Sequence, residues 1–308
     1  MSTNIDEAAA NEVCASCGIT AGPNVNLRKC TACKEVKYCG VECQKNHRPK
    51  HKKACKKRAA ELHDDILFAD PDSTHEGDCP ICLVPHSLDL SKSVMMTCCS
   101  KTICLGCEFF NMKRELEEGK RKHQCPYCRM PYPETEEEIQ KNRQRRVEAN
   151  DDVALRQLGT QLNIQGDFIG AVENWKKAAA MGNNRAHYEL SVMYQDGRGV
   201  EQDKKKQIYH LEVAAIGGNP KARYFLGHVE YKNNNLQRAV IHYCIAAKQG
   251  YIEAFEEVNK YFADGVIPLG LFMNTVRGYQ AAIDATKSPQ REEADAVREQ
   301  MNANSNNV

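Results

Sequence analysis

Residues 14–55 read CASCGITAGPNVNLRKCTACKEVKYCGVECQKNHRPKHKKAC, and the spacing of the cysteines in this stretch decides the fold. Cys14-x2-Cys17, Cys30-x2-Cys33, Cys39-x3-Cys43 and His51-x3-Cys55 supply eight candidate ligands in four close pairs. A second set follows in Cys79-x2-Cys82, Cys98-Cys99, Cys104-x2-Cys107 and Cys125-x2-Cys128. Fifteen of the sixteen cysteines thus precede residue 129, and only Cys244 lies apart. Zinc takes four thiolate or imidazole donors in a tetrahedron, and a tight turn closing CxxC sets two sulfurs on one ion. The two sets together suit four zinc ions.

Disulfides are the competing reading. Residues 1–11 (MSTNIDEAAAN) have no basic segment and no apolar run, so a secretory leader is not expected. Thiols in the cytosol and nucleus stay reduced, and repeated CxxC there favours metal over crosslinks. The expected location is therefore the cytoplasm, the nucleus or both. No run of eighteen apolar residues occurs, so no membrane partner is expected.

A length of 308 residues predicts two or three domains. With 27% charged and 7% aromatic residues, the cysteine-rich half has little apolar matter for a core. A structural zinc contributes about 10–16 kcal/mol of apparent binding energy to folding, which offsets that deficit. The net charge of +1 hides one strong asymmetry: Lys45 to Arg58 carries eight Lys/Arg and no acid. No aromatic residue interleaves these cations to stack on bases, so the run reads as a solvated helix face and nucleic acid is not an expected partner.

The first set resembles a MYND finger, a two-zinc interaction module that docks short, often proline-containing peptides. The resemblance implies interleaved sites, with Cys14, Cys17, Cys39 and Cys43 on one ion and Cys30, Cys33, His51 and Cys55 on the other. Cys39, Cys43, His47, His51 and Cys55 fall four apart, so a helix would present them on one face. His47 is then a rival to His51, although the HxxxC spacing to Cys55 favours His51. Arg48 stands where the family usually carries tryptophan, which touches the peptide groove and not the metal.

The second set resembles a RING finger in the order of its pairs and in Cys79-Pro80-Ile81-Cys82 and Cys125-Pro126-Tyr127-Cys128-Arg129. Interleaving would place Cys79, Cys82, Cys104 and Cys107 on one zinc and Cys98, Cys99, Cys125 and Cys128 on the other. The usual Cys-x-His pair is replaced by Cys98-Cys99-Ser100-Lys101, an all-cysteine variant. Adjacent cysteines reach one ion only with a strained backbone, which keeps His123 open as a substitute ligand. RING ligases position a ubiquitin-loaded conjugating enzyme and carry no nucleophile. The resemblance implies contacts to that enzyme from Ile81, from Phe110 on the helix after Cys107, and from Pro126. It implies a bridging role for Arg129, whose rigid fork of donors suits two partners. Asn111 departs from the bulky apolar residue often found four positions after the sixth ligand.

Beyond Asp152 alanine and glycine become periodic. Gly182, Gly218 and Gly250 close similar segments, and Ala154/Leu158, Ala186/Leu190, Ala222/Leu226 and Ala254/Val258 repeat in step. A period of 32 to 36 residues means stacked helix pairs capped by left-handed glycine. Residues 186–200 with the following DKKK resemble a Sel-one-like repeat, a relative of the tetratricopeptide repeat, and imply a concave surface for partner proteins or peptides. The Asp196-Gly-Arg-Gly-Val200 segment lacks the strand and GK[ST] of a phosphate loop and reads as an inter-helix turn. Trp175 is expected in the core, and Cys244 as an inert buried thiol.

The expected architecture is multidomain: two small cross-braced zinc modules, loop-rich and α+β, followed by an all-α helix-pair solenoid. The expected segments are a disordered start (1–13), a MYND-like finger (14–55), a linker (56–76) and a RING-like finger (77–133). A charged connecting helix (134–150), helical repeats (151–287) and a terminal helix with a disordered tail (288–308) complete the chain. The leading function is a ubiquitin ligase whose finger and repeats recruit substrate. The alternative is a non-enzymatic adaptor, and no segment resembles a methyltransferase domain.

Overall fold

The computed structural model describes residues 12–305, so the expected disorder of residues 1–11 and 306–308 falls outside the described residues. The chain divides after Ala69 into two compact units. It is mostly helical, multidomain, with a cysteine-rich region ahead of a helical solenoid. No described helix is long and apolar enough to cross a membrane.

The first unit contains a two-stranded antiparallel ribbon, β1 (Arg28–Lys29) and β2 (Lys37–Tyr38), and one long helix, α1 (Val41–Leu67). Val13 bridges Thr20, so the ordered finger begins one residue before its first ligand. Its core is Cys14, Cys30, Cys33 and Tyr38. Three of those four are candidate ligands, and there is little else to pack. α1 runs on to Leu67, so the first twelve residues assigned to a linker are helical. The reason is in their composition: KKRAAELHDDIL is made largely of helix formers, with Arg58 and Lys57 reaching Glu61 one turn on.

The second unit opens with an irregular strap, residues 70–76, laid across the repeats. The amide of His75 donates to the Gly218 carbonyl at 3.0 Å. Lys248 pairs with Asp70 at 3.0 Å and Arg185 with Glu76 at 3.0 Å. Gly218 has φ +81, and a Cβ there would lie 2.4 Å from the Ser73 carbonyl oxygen. Only glycine permits both that turn and that approach.

A β hairpin follows, β3 (Ser93–Met96) with β4 (Lys101–Cys104), in the register Ser93↔Cys104 to Met96↔Lys101. It leads directly into α2 (Leu105–Glu117), capped by the Cys104 sulfur accepting from the Cys107 amide. The core here is Cys79, Met96, Ile103, Cys104, Cys107 and Cys125.

α3 (Glu136–Glu148) connects to the array, with acids in its first turn and Arg145 and Arg146 in its last, the favourable order for the helix dipole. The array comprises α4 (Asp152–Ile164), α5 (Phe168–Ala180), α6 (Asn184–Asp196), α7 (Lys204–Ile216), α8 (Pro220–Lys232) and α9 (Leu236–Lys248). α10 (Ile252–Ala263), α11 (Leu269–Ala285) and α12 (Pro289–Ser305) follow. α4/α5, α6/α7 and α8/α9 pack as successive pairs. Asp151, Asp167, Asn183, Asp203 and Asn219 each cap the next helix through a side-chain oxygen.

Trp175 is fully buried and donates Nε1–H to the Arg156 carbonyl at 3.0 Å, and Cys244 is buried. Residues 196–200 form the turn between α6 and α7, with Gly197 and Gly199 at positive φ. The last helix corrects the sequence reading. It spans Pro289–Ser305, leaving little of the segment 288–308 for the expected disordered tail, and it packs on α2.

Candidate metal centres

In the first unit Cys14, Cys17, Cys39 and Cys43 bring their sulfurs together, and so do Cys30, Cys33, His51 and Cys55; within each group the donor atoms lie within 4.8 Å of one another. Two knuckles and the first turns of α1 supply these donors. β1 and β2 hold the second CxxC turn against the third pair. The rivalry between the two histidines resolves geometrically. His51 is buried with Nε2 3.3 Å from the Cys33 sulfur. His47 instead meets the Tyr38 hydroxyl through Nδ1 at 3.1 Å and stacks on the His51 ring. His47 thus braces the ligand without joining it, as an outer-shell partner does.

In the second unit Cys79, Cys82, Cys104 and Cys107 converge, and Cys98, Cys99, Cys125 and Cys128 converge separately. The first pair meets the third and the second meets the fourth, so the two centres interlock. Adjacent Cys98 and Cys99 both reach one cluster. Their turn is closed by Ser100 in the left-handed region at φ 57, so the local strain falls one residue after the pair. His123 is not in this cluster. Its Nδ1 lies 3.2 Å from Oε2 of the fully buried Glu115, which also accepts from the Gln124 amide. The sequence-level substitute ligand is therefore a second-layer residue, because Glu115 on α2 draws its ring aside.

The spacing fits zinc. Sulfurs about 2.3 Å from a tetrahedral ion stand about 3.8 Å apart. The observed separations are 3.7 Å for Cys17–Cys39, 3.8 Å for Cys30–Cys55, 3.7 Å for Cys82–Cys104 and 3.9 Å for Cys99–Cys125, with Cys39–Cys43 and Cys98–Cys128 shorter at 3.5 Å and 3.3 Å. All sixteen cysteines are free thiols. Disulfide sulfurs would stand about 2.05 Å apart. The clusters are consistent with zinc binding.

Electrostatics argue the same way. Thiols this close cannot all ionise unaided. The Cys17 amide pulls Cys14 down to about 6, while hydrogen bonding to Cys43 pushes Cys39 up to about 12. In the second unit the Cys104 thiol, with help from backbone amides, draws Cys79 down to about 3, and Cys104 is driven up in consequence. A divalent cation removes that conflict by stabilising every thiolate together.

The residues expected to touch a conjugating enzyme are unequally placed. Ile81 is 43% exposed, and Phe110 is half-buried against Phe109. Pro126 is buried, contrary to its reading as a contact, because it sits inside the last knuckle between two ligands. Leu83, 73% exposed on the first knuckle, and Tyr127, 46% exposed on the last, were not singled out from sequence. Arg129 is exposed at φ 64, and its Nη1 donates to the Asn111 Oδ1 at 3.3 Å. Asn111 also accepts from Arg114 and donates to the Gln124 carbonyl. The residue that departed from the apolar pattern thus tethers the candidate bridging arginine to α2.

Residues 14–55 match the family model of the MYND finger. The Sel1 repeat model matches three times, at residues 153–183, 184–219 and 220–251. Chitin synthase regulatory factor 4 of Schizosaccharomyces pombe is 29% identical over 85 residues, 27% of this chain. The chain spans 13% of that relative's length. A Sel1 repeat protein from Oxalobacter formigenes superposes with TM-score 0.41 at 24% identity, covering 47% of this chain and 64% of that one. The c5321 protective antigen of uropathogenic Escherichia coli, which displays an SLR fold, gives TM-score 0.38 at 21% identity, covering 54% and 36%. The chain thus joins a zinc-finger module to Sel1 repeats, and both are protein-interaction modules.

Proposed function

We propose that this protein is a RING-type ubiquitin ligase built on a protein-interaction scaffold, acting in the cytoplasm or nucleus with four zinc ions in place. The observation that carries the reading is the interlocked pair of four-cysteine clusters joined by the β3–β4 hairpin and α2, with Arg129 directly after the last ligand and oriented by Asn111. Such a module catalyses by position. Zinc held by Cys79, Cys82, Cys104 and Cys107 and by Cys98, Cys99, Cys125 and Cys128 would fix the two knuckles, and the knuckles would present a surface for a ubiquitin-loaded conjugating enzyme. Ile81 and Leu83 offer apolar contact from the first knuckle and Tyr127 from the last. Arg129 spends one donor on Asn111 and keeps the others for the enzyme and its ubiquitin.

Substrate recruitment falls to the finger and the repeats. A cleft of about 740 Å³ beside the strap is lined by Pro71, Leu88, Tyr251, Ile252, Tyr279 and Ile283, a mixed apolar and aromatic surface suited to a protein segment. The test is autoubiquitination by the full chain across a panel of conjugating enzymes. Chain formation lost in Cys79→Ser and reduced at least tenfold in Arg129→Ala supports the ligase. Silence of the wild type across the panel refutes it. A second reading, a non-enzymatic adaptor, is favoured by the burial of Pro126 and by α12 packed along α2. It expects stable partners and no conjugating enzyme bound through Ile81.

A further inference from the structure

We infer that Arg291, on the C-terminal helix, is a working part of the metal centre formed by Cys79, Cys82, Cys104 and Cys107. Its guanidinium crosses 209 positions of sequence to donate from Nη2 to the Cys82 sulfur at 3.5 Å and to the Val84 carbonyl at 2.8 Å. Nη1 donates to the Pro85 carbonyl at 2.6 Å and to the Thr286 carbonyl at 2.8 Å. The fork therefore grips the first knuckle by a ligand and by the two carbonyls that follow it. The approach is close because Gly106, between Cys104 and Cys107, has no side chain. A Cβ there would stand 3.0 Å from Arg291 Cγ and 3.1 Å from its Cα.

The chemistry asks for such a partner. A divalent ion held by four thiolates leaves a centre with surplus negative charge, in a site where Cys79, Cys104 and Cys107 are buried. A cation donating to a coordinating sulfur lowers its charge density, holds its orientation and slows its protonation and departure. Arginine does this without losing its own charge. The remaining contacts of α12 are ordinary docking: Lys92 with Asp295 at 2.7 Å, Lys113 with Glu293 at 3.2 Å, and Arg298 with the Ser91 carbonyl. The two ion pairs lie on part-exposed side chains, where solvent screens them. The terminal helix is thereby more than a cap: it carries an outer-layer residue of the zinc site.

The inference rests on zinc occupancy and not on ligase activity, and the metal count of the wild type tests that occupancy separately. Full-length Arg291→Gln, Arg291→Lys and the docking control Glu293→Ala/Arg298→Ala are compared by metal release to a chelator, followed by native mass spectrometry. In Arg291→Gln one metal leaves about 10–100-fold faster while the others keep their wild-type rates. Arg291→Lys recovers part of the loss, and the docking control releases at the wild-type rate. In cobalt-substituted protein, Arg291→Gln shifts the thiolate-to-metal absorption and the docking control does not. Wild-type release from Arg291→Gln, or equal acceleration in the docking control, overturns the inference. Should Arg291→Gln fail to fold, Arg291→Lys decides alone: one metal released faster than in the docking control supports it, and release matching that control overturns it.

Discussion

Three glycines that are equivalent in the repeat pattern are unequal in the structure, and the difference can be measured. Gly182, Gly218 and Gly250 all follow the second helix of a pair at φ +88, +81 and +88. Alanine at any of them meets the left-handed penalty of about 1–2 kcal/mol. At Gly182 the added methyl meets nothing within 4 Å, and at Gly250 it makes ordinary contact with Ala282 and Ile283 at 3.5 Å. At Gly218 it lies 2.4 Å from the Ser73 carbonyl oxygen and 3.2 Å from the His75 nitrogen. Those are backbone atoms, so the strap must move. Its movement gives up the hydrogen bond from His75 to Gly218, worth about 0.5–1.5 kcal/mol, and loosens the largely buried Arg185–Glu76 pair, worth about 1.5–3 kcal/mol. The part-exposed Lys248–Asp70 pair adds about 0–1 kcal/mol. Gly218→Ala should therefore cost about 2–5.5 kcal/mol beyond either control, a further loss of roughly 4–22 °C in Tm for a unit of this size. Amide exchange at His75 reads the strap directly, with protection lost in Gly218→Ala and kept in Gly182→Ala. Equal melting of all three variants with His75 still protected would refute the strap as described.

Three other outcomes are expected. Cys99→Ser should remove one metal per chain by native mass spectrometry, whereas His123→Ala should leave the count unchanged; the reverse pattern would restore His123 as a ligand. The solenoid should weaken in acid through the His187–His210 contact, Nδ1 to Nδ1 at 2.9 Å. Burial lowers His210 to about 4, aided by His187, Lys176 and Lys206, and burial also lowers His187. Because the unfolded chain binds these protons more readily, stability is full above about 6.5 and falls as pH drops from there towards about 4. His210 is only half-buried, so the loss is about 1–2 kcal/mol after solvent screening, and a Tm difference between wild type and His210→Gln that does not change over that range contradicts it. Trp175→Phe should destabilise the first repeat by about 1–3 kcal/mol, since the Arg156 carbonyl keeps the Thr160 hydroxyl but loses the indole donor and a void opens beside Gly159, with circular dichroism as the readout.

What was legible in the sequence had a local cause. CxxC turns, glycine-closed helix pairs and the Asp/Asn caps are each set within a few residues, so the grouping of the donors into two modules and the helical array could be read directly. The choice of His51 over His47 rested on spacing to Cys55, and the structure adds its reason: Tyr38 occupies His47. The choice between Cys99 and His123 was not legible, because it turns on Glu115, a buried carboxylate that reads from sequence as a surface helix residue. The extension of α1 to Leu67 did have a signal, an unbroken run of helix formers, but it lay beyond the last ligand, where the zinc pattern ends. The buried Pro126 marks a limit of transfer by resemblance, since a motif fixes the residue and not its exposure.

The long-range contacts left no local trace, and they change what counts as a unit. By sequence, the second zinc module ends near residue 133 and the repeats begin near 151. Yet the segment ahead of that module is bonded to Arg185 and Gly218 in one repeat and to Lys248 in the next. Its first knuckle is gripped by Arg291, beyond the last helix of the array. The module's own core is four cysteines with Met96 and Ile103, too few apolar side chains to fix its orientation by packing. Metal can fold such a knuckle, but metal alone sets no angle between it and its neighbours. The strap on one side and α12 on the other supply that constraint, so the second module and the solenoid share one compact frame. A surface whose chemistry depends on holding two partners in register is best placed on a frame of that kind.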